Sequence, residues 1–185
     1  AIGDIGTHAF NLAEFITGDT VTSLLADLQS FVPGRRVDDN AQILLRFGSG
    51  VRGALWVSQV APGNENALRI RVFGETGSLT WAQEQPNHLD VVRLGEPLRR
   101  ITRGSSTANV AAQRVTRIPG GHPVFNVTAT AEIYTEVAHA IRAARKHGTP
   151  DPAVAYPTLA DGLRGVAFIE AAVKSSRSGS SWQHV

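Results

Sequence analysis

The chain has 185 residues, 42% of them hydrophobic, with 18 Lys and Arg against 16 Asp and Glu and a formal net charge of +2. That length builds a core without staples, and the absence of cysteine excludes disulfides and thiolate metal sites. The basic residues are scattered, with Arg99, Arg100 and Arg103 the densest group, and no apolar run nears the ~20 residues of a membrane span. Neither nucleic acid nor membrane is therefore expected as a partner, and a cytoplasmic location is. No methionine is present and functional-looking residues stand at the very start, so a fragment of a longer chain is expected.

From Asp4 to Thr17 the apolar residues Ile5, Ala9, Leu12, Ala13 and Ile16 recur at three and four, which predicts a helix, and Gly18 is its stop. The period then changes to two. Seven runs, VTSLLADLQSFVP, NAQILLRF, VRGALWVSQV, ALRIRVF, SLTWAQ, HLDVVRL and RRITR, are separated by turn signals such as GSG, PGNEN, GETG and GEP. They predict a mostly antiparallel, open sheet of about six or seven strands. Ala41, Ile43, Leu45 and Phe47, then Val51, Leu55 and Val57, then Leu68, Ile70 and Val72, are expected to share the face that carries the helices.

Residues Ser105 to Gly121 lack a period and read as a long loop. A helix follows from about Asn126 to Lys146, with Arg142, Arg145 and Lys146 in its last turn and Gly148 as its stop. Another starts at Thr158, with Asp161 in the capping-box position, and the tail is expected to add a last strand around Trp182. The order is helix, sheet, helix, helix: a single α+β domain.

Gly48, Gly50 and Gly53 in FGSGVRGALW match the GxGxxG spacing of a dinucleotide-binding turn. That turn works between a strand and a helix, whereas ALWVSQV alternates as a strand, so the glycines predict a hairpin. No cofactor-binding residue is assigned. His88, His139, His147 and His184 have no partner at ligand spacing, and no metal site is expected.

GDIGTH is the more informative stretch. Asp4 and His8 are four apart, which on an α-helix puts both side chains on one face with Cβ atoms roughly 5–6 Å apart. A carboxylate and an imidazole so placed can orient one another or share a substrate. Alternatively Asp4 is a helix N-cap and His8 a solvated side chain. Gly3 and Gly6 leave that turn open to close approach by another molecule.

The residues that carry a resemblance run along nearly the whole chain: GDIGTHAFNLAEFITG, VDDNAQILLRFGSGVRGALWVSQVAPGNEN, LRIRVFGETGSLTW, GGHP and YPTLADGLRGVAFIEAAVKSSRSG. The sequence resembles the C-terminal domain of the Gfo/Idh/MocA family, named for glucose-fructose oxidoreductase, inositol dehydrogenase and rhizopine catabolism. The resemblance implies a two-domain enzyme. Its N-terminal Rossmann domain, absent from this chain, would bind NAD or NADP and supply the lysine of a Glu-Lys-Pro motif. The present domain would hold the substrate and form a homo-oligomer through its open sheet face.

On that reading His8 is the general base and Asp4 orients it, for hydride transfer between nicotinamide and a secondary hydroxyl of a sugar, anhydrosugar or inositol-type polyol. Asn11 and Thr7 are candidate substrate contacts, or else helix surface. His122 in the GHP turn is a further substrate contact, or else a turn histidine without a role. Similar sequences continue GHP with Glu-Gly; here Val124 and Phe125 stand instead, which leaves the substrate's identity open. The alternative is a non-catalytic oligomerisation or ligand-sensing module, and a third reading uses the same pair for isomerisation or hydrolysis.

Overall fold

All seven period-two runs become strands in the computed structural model, which describes residues 1–122 and 126–185. They are β1 (Val21–Gln29), β2 (Asn40–Phe47), β3 (Arg52–Ser58), β4 (Arg69–Phe73), β5 (Gly77–Ala82), β6 (His88–Arg93) and β7 (Arg99–Thr102). The tail adds β8 (Gln183–His184), as expected.

They do not form one open sheet of six or seven strands. Two four-stranded antiparallel sheets form instead, ordered β3-β2-β1-β8 and β4-β5-β6-β7. The reason is pairing. Alternation identifies a strand and its inward face, but its partner depends on hydrogen bonds across the chain, and the turn-rich stretch after β3 sends β4 to β5 rather than back to β3. Leu68, Ile70 and Val72 therefore do not continue the face of Ala41 and Leu55. The chain accordingly divides into two compact units, Ala1–Glu65 with Thr158–Val185, and Asn66–Pro157.

The first unit holds the core. Leu24 and Ala26 of β1, Ala41, Ile43, Leu45 and Phe47 of β2, and Leu55 and Val57 of β3 are buried on one face. Two helices cover them: α1 (Thr7–Thr17) and α4 (Leu159–Arg177). Phe10 of α1 stacks on Phe168 of α4 at 4.3 Å between ring centroids, and both are essentially inaccessible to solvent. Ala171 and Ala172, also buried, complete the inner face of α4. The capping box is present: the Thr158 hydroxyl accepts from the Asp161 amide, and the Asp161 carboxylate accepts from the Thr158 hydroxyl and amide, which, the hydroxyl chiefly, lower the pKa of Asp161.

Polar contacts set the seating of the helices. Glu14 of α1 takes both the Nε and an Nη of Arg164 of α4, and its Oε1 also accepts the amide of Val21 at 2.7 Å. Beyond the two-residue pairing with β8, Ser175 and Ser176 of α4 continue along β1, accepting the amides of Ala26 (2.8 Å) and Leu28 (3.1 Å). Arg46 lies 3.7 Å over the Trp182 ring and holds the tail against the sheet.

The second unit is a four-strand meander with α3 (Asn126–Arg145) and a short helix, α2 (Val110–Arg114). α2 lies inside the stretch expected to be an irregular loop, capped by the Asn109 side chain on the Ala112 amide. α3 ends one residue earlier than Gly148 suggested. His147 takes the left-handed position (φ 54°) and donates to the Ala144 carbonyl, while Gly148 donates to the Ala143 carbonyl. Among the described residues no helix is long and apolar enough to cross a membrane.

Candidate active site

The chain's first turn is wider than an α-helix. The Gly6 amide donates to the Ala1 carbonyl, five residues back, so Ile2–Gly6 forms a π-type turn before α1 begins at Thr7. Such turns admit an extra residue and recur at functional sites. The strict one-face argument therefore applies to His8 and Asn11 within α1, and Asp4 is offset from its α-helical position. Gly6 is not open to a ligand, contrary to the sequence reading. It is buried, and a Cβ there would come within 2.7 Å of Ile2 Cδ1. Gly3 remains exposed.

Asp4, His8 and Asn11 are all exposed along this segment, and Thr7 is half-buried with its hydroxyl donating to the Asp4 carbonyl at 3.4 Å. No hydrogen bond joins Asp4 to His8 among the described residues. Nor does Asp4 cap the helix: neither Ala1 nor Gly6, the residues at the two helix starts, makes a side-chain cap, and the Asp4 carboxylate turns outward to Gln59. Gln59 Nε2 donates to Asp4 Oδ2 at 3.1 Å. Gln59 follows β3 and lies 55 positions along the sequence, so no local spacing points to it.

His122 belongs to the second unit and is exposed on a turn built around Arg103. That guanidinium donates to the carbonyls of Ile118 (2.6 Å), Pro119 (3.4 Å) and His122 (2.7 Å), and to Asn87 Oδ1 (2.7 Å). Five donors in a rigid plane suit such a cluster of carbonyls. The segment leading to the turn is also tied to α3. Arg117 pairs with Glu132, which raises the pKa of Arg117, and Arg114 pairs with the buried Glu136, holding that carboxyl below the ordinary carboxylate value. Val124 and Phe125, the departure noted after GHP, lie outside the described residues.

The glycine fingerprint is a hairpin, as expected: Gly50 donates to the Phe47 carbonyl, Phe47 to that of Val51, and Gly53 lies inside β3. With a strand on either side and no helix N-terminus, it does not fit a dinucleotide pyrophosphate.

Residues 1–80 match the model of the GFO/IDH/MocA C-terminal domain. The uncharacterized oxidoreductase YfiI of Bacillus subtilis (strain 168) is 31% identical over 98% of this chain and 47% of its own length. Among solved structures, an oxidoreductase from Sinorhizobium meliloti is 49% identical with a TM-score of 0.94, over 97% of this chain and 51% of that one. An inositol dehydrogenase homolog from Azotobacter vinelandii, complexed with NADH and myo-inositol, is 32% identical with a TM-score of 0.92, over 100% of this chain and 49% of that one. The chain thus spans about half the length of the relatives it matches. With the family model matching residues 1–80 and these relatives along nearly all its residues, the findings support a Gfo/Idh/MocA C-terminal domain.

Proposed function

We propose that this chain is the substrate-binding and catalytic half of an NAD(P)-dependent oxidoreductase acting on a secondary hydroxyl of a sugar, anhydrosugar or inositol-type polyol. The observation that carries the reading is the outward carboxylate of Asp4, freed from any capping duty and, like His8 four residues on, exposed. Its support in kind is the relative whose structure holds NADH and myo-inositol. The nicotinamide, when bound, supplies the hydride acceptor. Since the glycine hairpin does not fit the dinucleotide, the reading assigns it to a Rossmann domain outside these 185 residues.

The chain's own part is the hydroxyl. Oxidation of a secondary alcohol needs its O–H proton removed as the carbinol carbon loses hydride, and an imidazole nitrogen of His8 takes that proton. Asp4 holds a neighbouring hydroxyl and so fixes which carbon is presented. Thr7 and Asn11 are the adjacent polar contacts on the same helix. His122 is assigned to substrate binding on the resemblance alone. In the first unit, the sheet face opposite the helices exposes Leu44 and Trp56 beside Arg46 and Arg52, and the reading takes it as the contact between copies of the chain.

The test is steady-state kinetics of the full-length enzyme with NAD⁺ and NADP⁺ over a panel of myo-inositol, aldohexoses and an anhydrosugar. His8→Ala lowers kcat by ~10²-fold or more on the fastest substrate, because the proton then has no positioned acceptor. A turnover within a few-fold of the wild type ends the catalytic assignment and leaves a binding or assembly module.

A further inference from the structure

Asp4 is held from outside its own helix. The Gln59 side chain makes the one hydrogen bond that the described residues give to the Asp4 carboxylate, Nε2 to Oδ2 at 3.1 Å. The base of Gln59 is fixed as well. Its amide donates to the Asp39 carbonyl at 2.7 Å, and Asp39 is anchored in turn by its own amide on the Gln29 carbonyl (2.9 Å). The Asp39 carboxylate is wholly buried and accepts the amides of Phe31 (2.9 Å) and Val32 (3.0 Å). The donor that meets Asp4 therefore stands on a braced strand end, the kind of support that keeps a site group within a narrow range of orientations.

A carboxamide carries two N–H donors and one carbonyl acceptor. One donor is spent on Asp4. The other donor and the carbonyl belong to an exposed side chain, and the second oxygen of the bonded Asp4 carboxylate, Oδ1, accepts no hydrogen bond from the described residues. The hydrogen-bonded pair thus leaves two acceptors and one donor unused, a set that two adjacent hydroxyls of a polyol complement, since each hydroxyl both donates and accepts.

We propose that Gln59 is the positioning residue for Asp4 and that the Gln59–Asp4 pair recognises two adjacent hydroxyls of the substrate. The inference rests on the reading of Asp4 and His8 as the site. It goes beyond it by adding a residue from β3's end and by requiring a vicinal diol rather than an isolated alcohol.

The experiment compares Gln59→Leu, Gln59→Glu, Asp4→Asn and the double variant Asp4→Asn/Gln59→Glu in the full-length enzyme, on the fastest substrate of the panel above. Gln59→Leu removes the donor and raises KM by about 5- to 50-fold, with a smaller effect on kcat. Gln59→Glu keeps shape and volume but sets one carboxylate against another, so it lowers kcat/KM by more than Gln59→Leu does. In the Asp4→Asn background the exchange is complementary, because the carboxamide introduced at position 4 donates to the carboxylate introduced at position 59. There Gln59→Glu costs less than about 3-fold, a coupling that a packing role does not produce. Thermal melts of each variant accompany the kinetics, and the complementary pair reports on the contact even where a single variant folds poorly.

Four results overturn the proposal. Gln59→Glu as active as the wild type shows that only the shape of residue 59 matters. An equal loss from Gln59→Glu in the wild-type and Asp4→Asn backgrounds shows that residue 59 does not act through position 4. If Asp4→Asn is itself silent, the site reading fails and this inference with it; if Asp4→Asn is costly while both Gln59 variants are silent, the inference fails alone.

Discussion

Removing the Phe168 ring tests what seats the helix that carries the candidate site. Phe168 and Phe10 are 0% and 1% exposed, their centroids lie 4.3 Å apart and their planes meet at 16°. Phe168→Ala deletes one member of a stacked pair and leaves a cavity beside Ala171 and Ala172, methyl side chains that have little reach to fill it. Truncations of this kind cost about 3–5 kcal/mol, and the stacked geometry makes up about 0.5–1.5 kcal/mol of it. For a domain stable by about 5–15 kcal/mol that is a large share. Urea titrations of Phe168→Ala, Phe10→Ala and the double variant measure both quantities. Each single change should lower stability by at least about 3 kcal/mol, and the double should cost less than the sum, because the second truncation has no stack left to lose. A single loss below about 1.5 kcal/mol, or additivity within about 0.5 kcal/mol, refutes the claim that this pair holds α1 to α4.

Trp56→Glu on the outward face of the first sheet should turn an oligomer into monomers by light scattering, and an unchanged mass removes that face as the contact. His147→Gly should stabilise the end of α3 by about 0.5–1 kcal/mol, since glycine adopts the left-handed conformation without the Cβ penalty; an unchanged or lower melting temperature contradicts the cap geometry. Asp39 is held below its ordinary pKa, chiefly by the Phe31 amide, and Asp19 chiefly by the Ser49 hydroxyl. Because the folded values lie under the unfolded value of about 3.9, their stabilisation is complete above that pH and fades as pH falls through the folded values. Melting temperature should therefore drop below about pH 4, and Asp39→Asn should lower it at neutral pH while flattening the acid drop; an undiminished acid drop in that variant rules out Asp39 as a source.

Much of the fold is local and was legible for that reason. The strands β1 to β7 follow from alternation, Gly18 closes α1 with φ 65°, and Thr158 with Asp161 starts α4. What escaped is set at long range or by short segments. Nothing in the β3 and β4 runs says which neighbour each will take, so one sheet was expected where two form. The five residues of α2 are too few to show a period, although Asn109 at its start was a usable capping signal. His147 and Gly148 are adjacent candidates for one left-handed position, and the glycine preference chose the wrong one. At the site, Asp4 and His8 stood out because helical spacing is read along the chain. Gln59 did not, because a side chain that arrives from another strand leaves no pattern near the residue it meets.

The serines of α4 bear on how this protein avoids sticking to itself. A strand flanked by only a two-residue partner would present bare amides to any extended segment that drifted past, and such edges seed pairing between molecules. Here the hydroxyls of Ser175 and Ser176 accept the amides of Ala26 and Leu28, and the Ser175 hydroxyl donates in turn to the Ser181 carbonyl. A helix thus stands in for a strand along that margin. Those two amides are closed to a neighbour's backbone, which disfavours lengthening the sheet there.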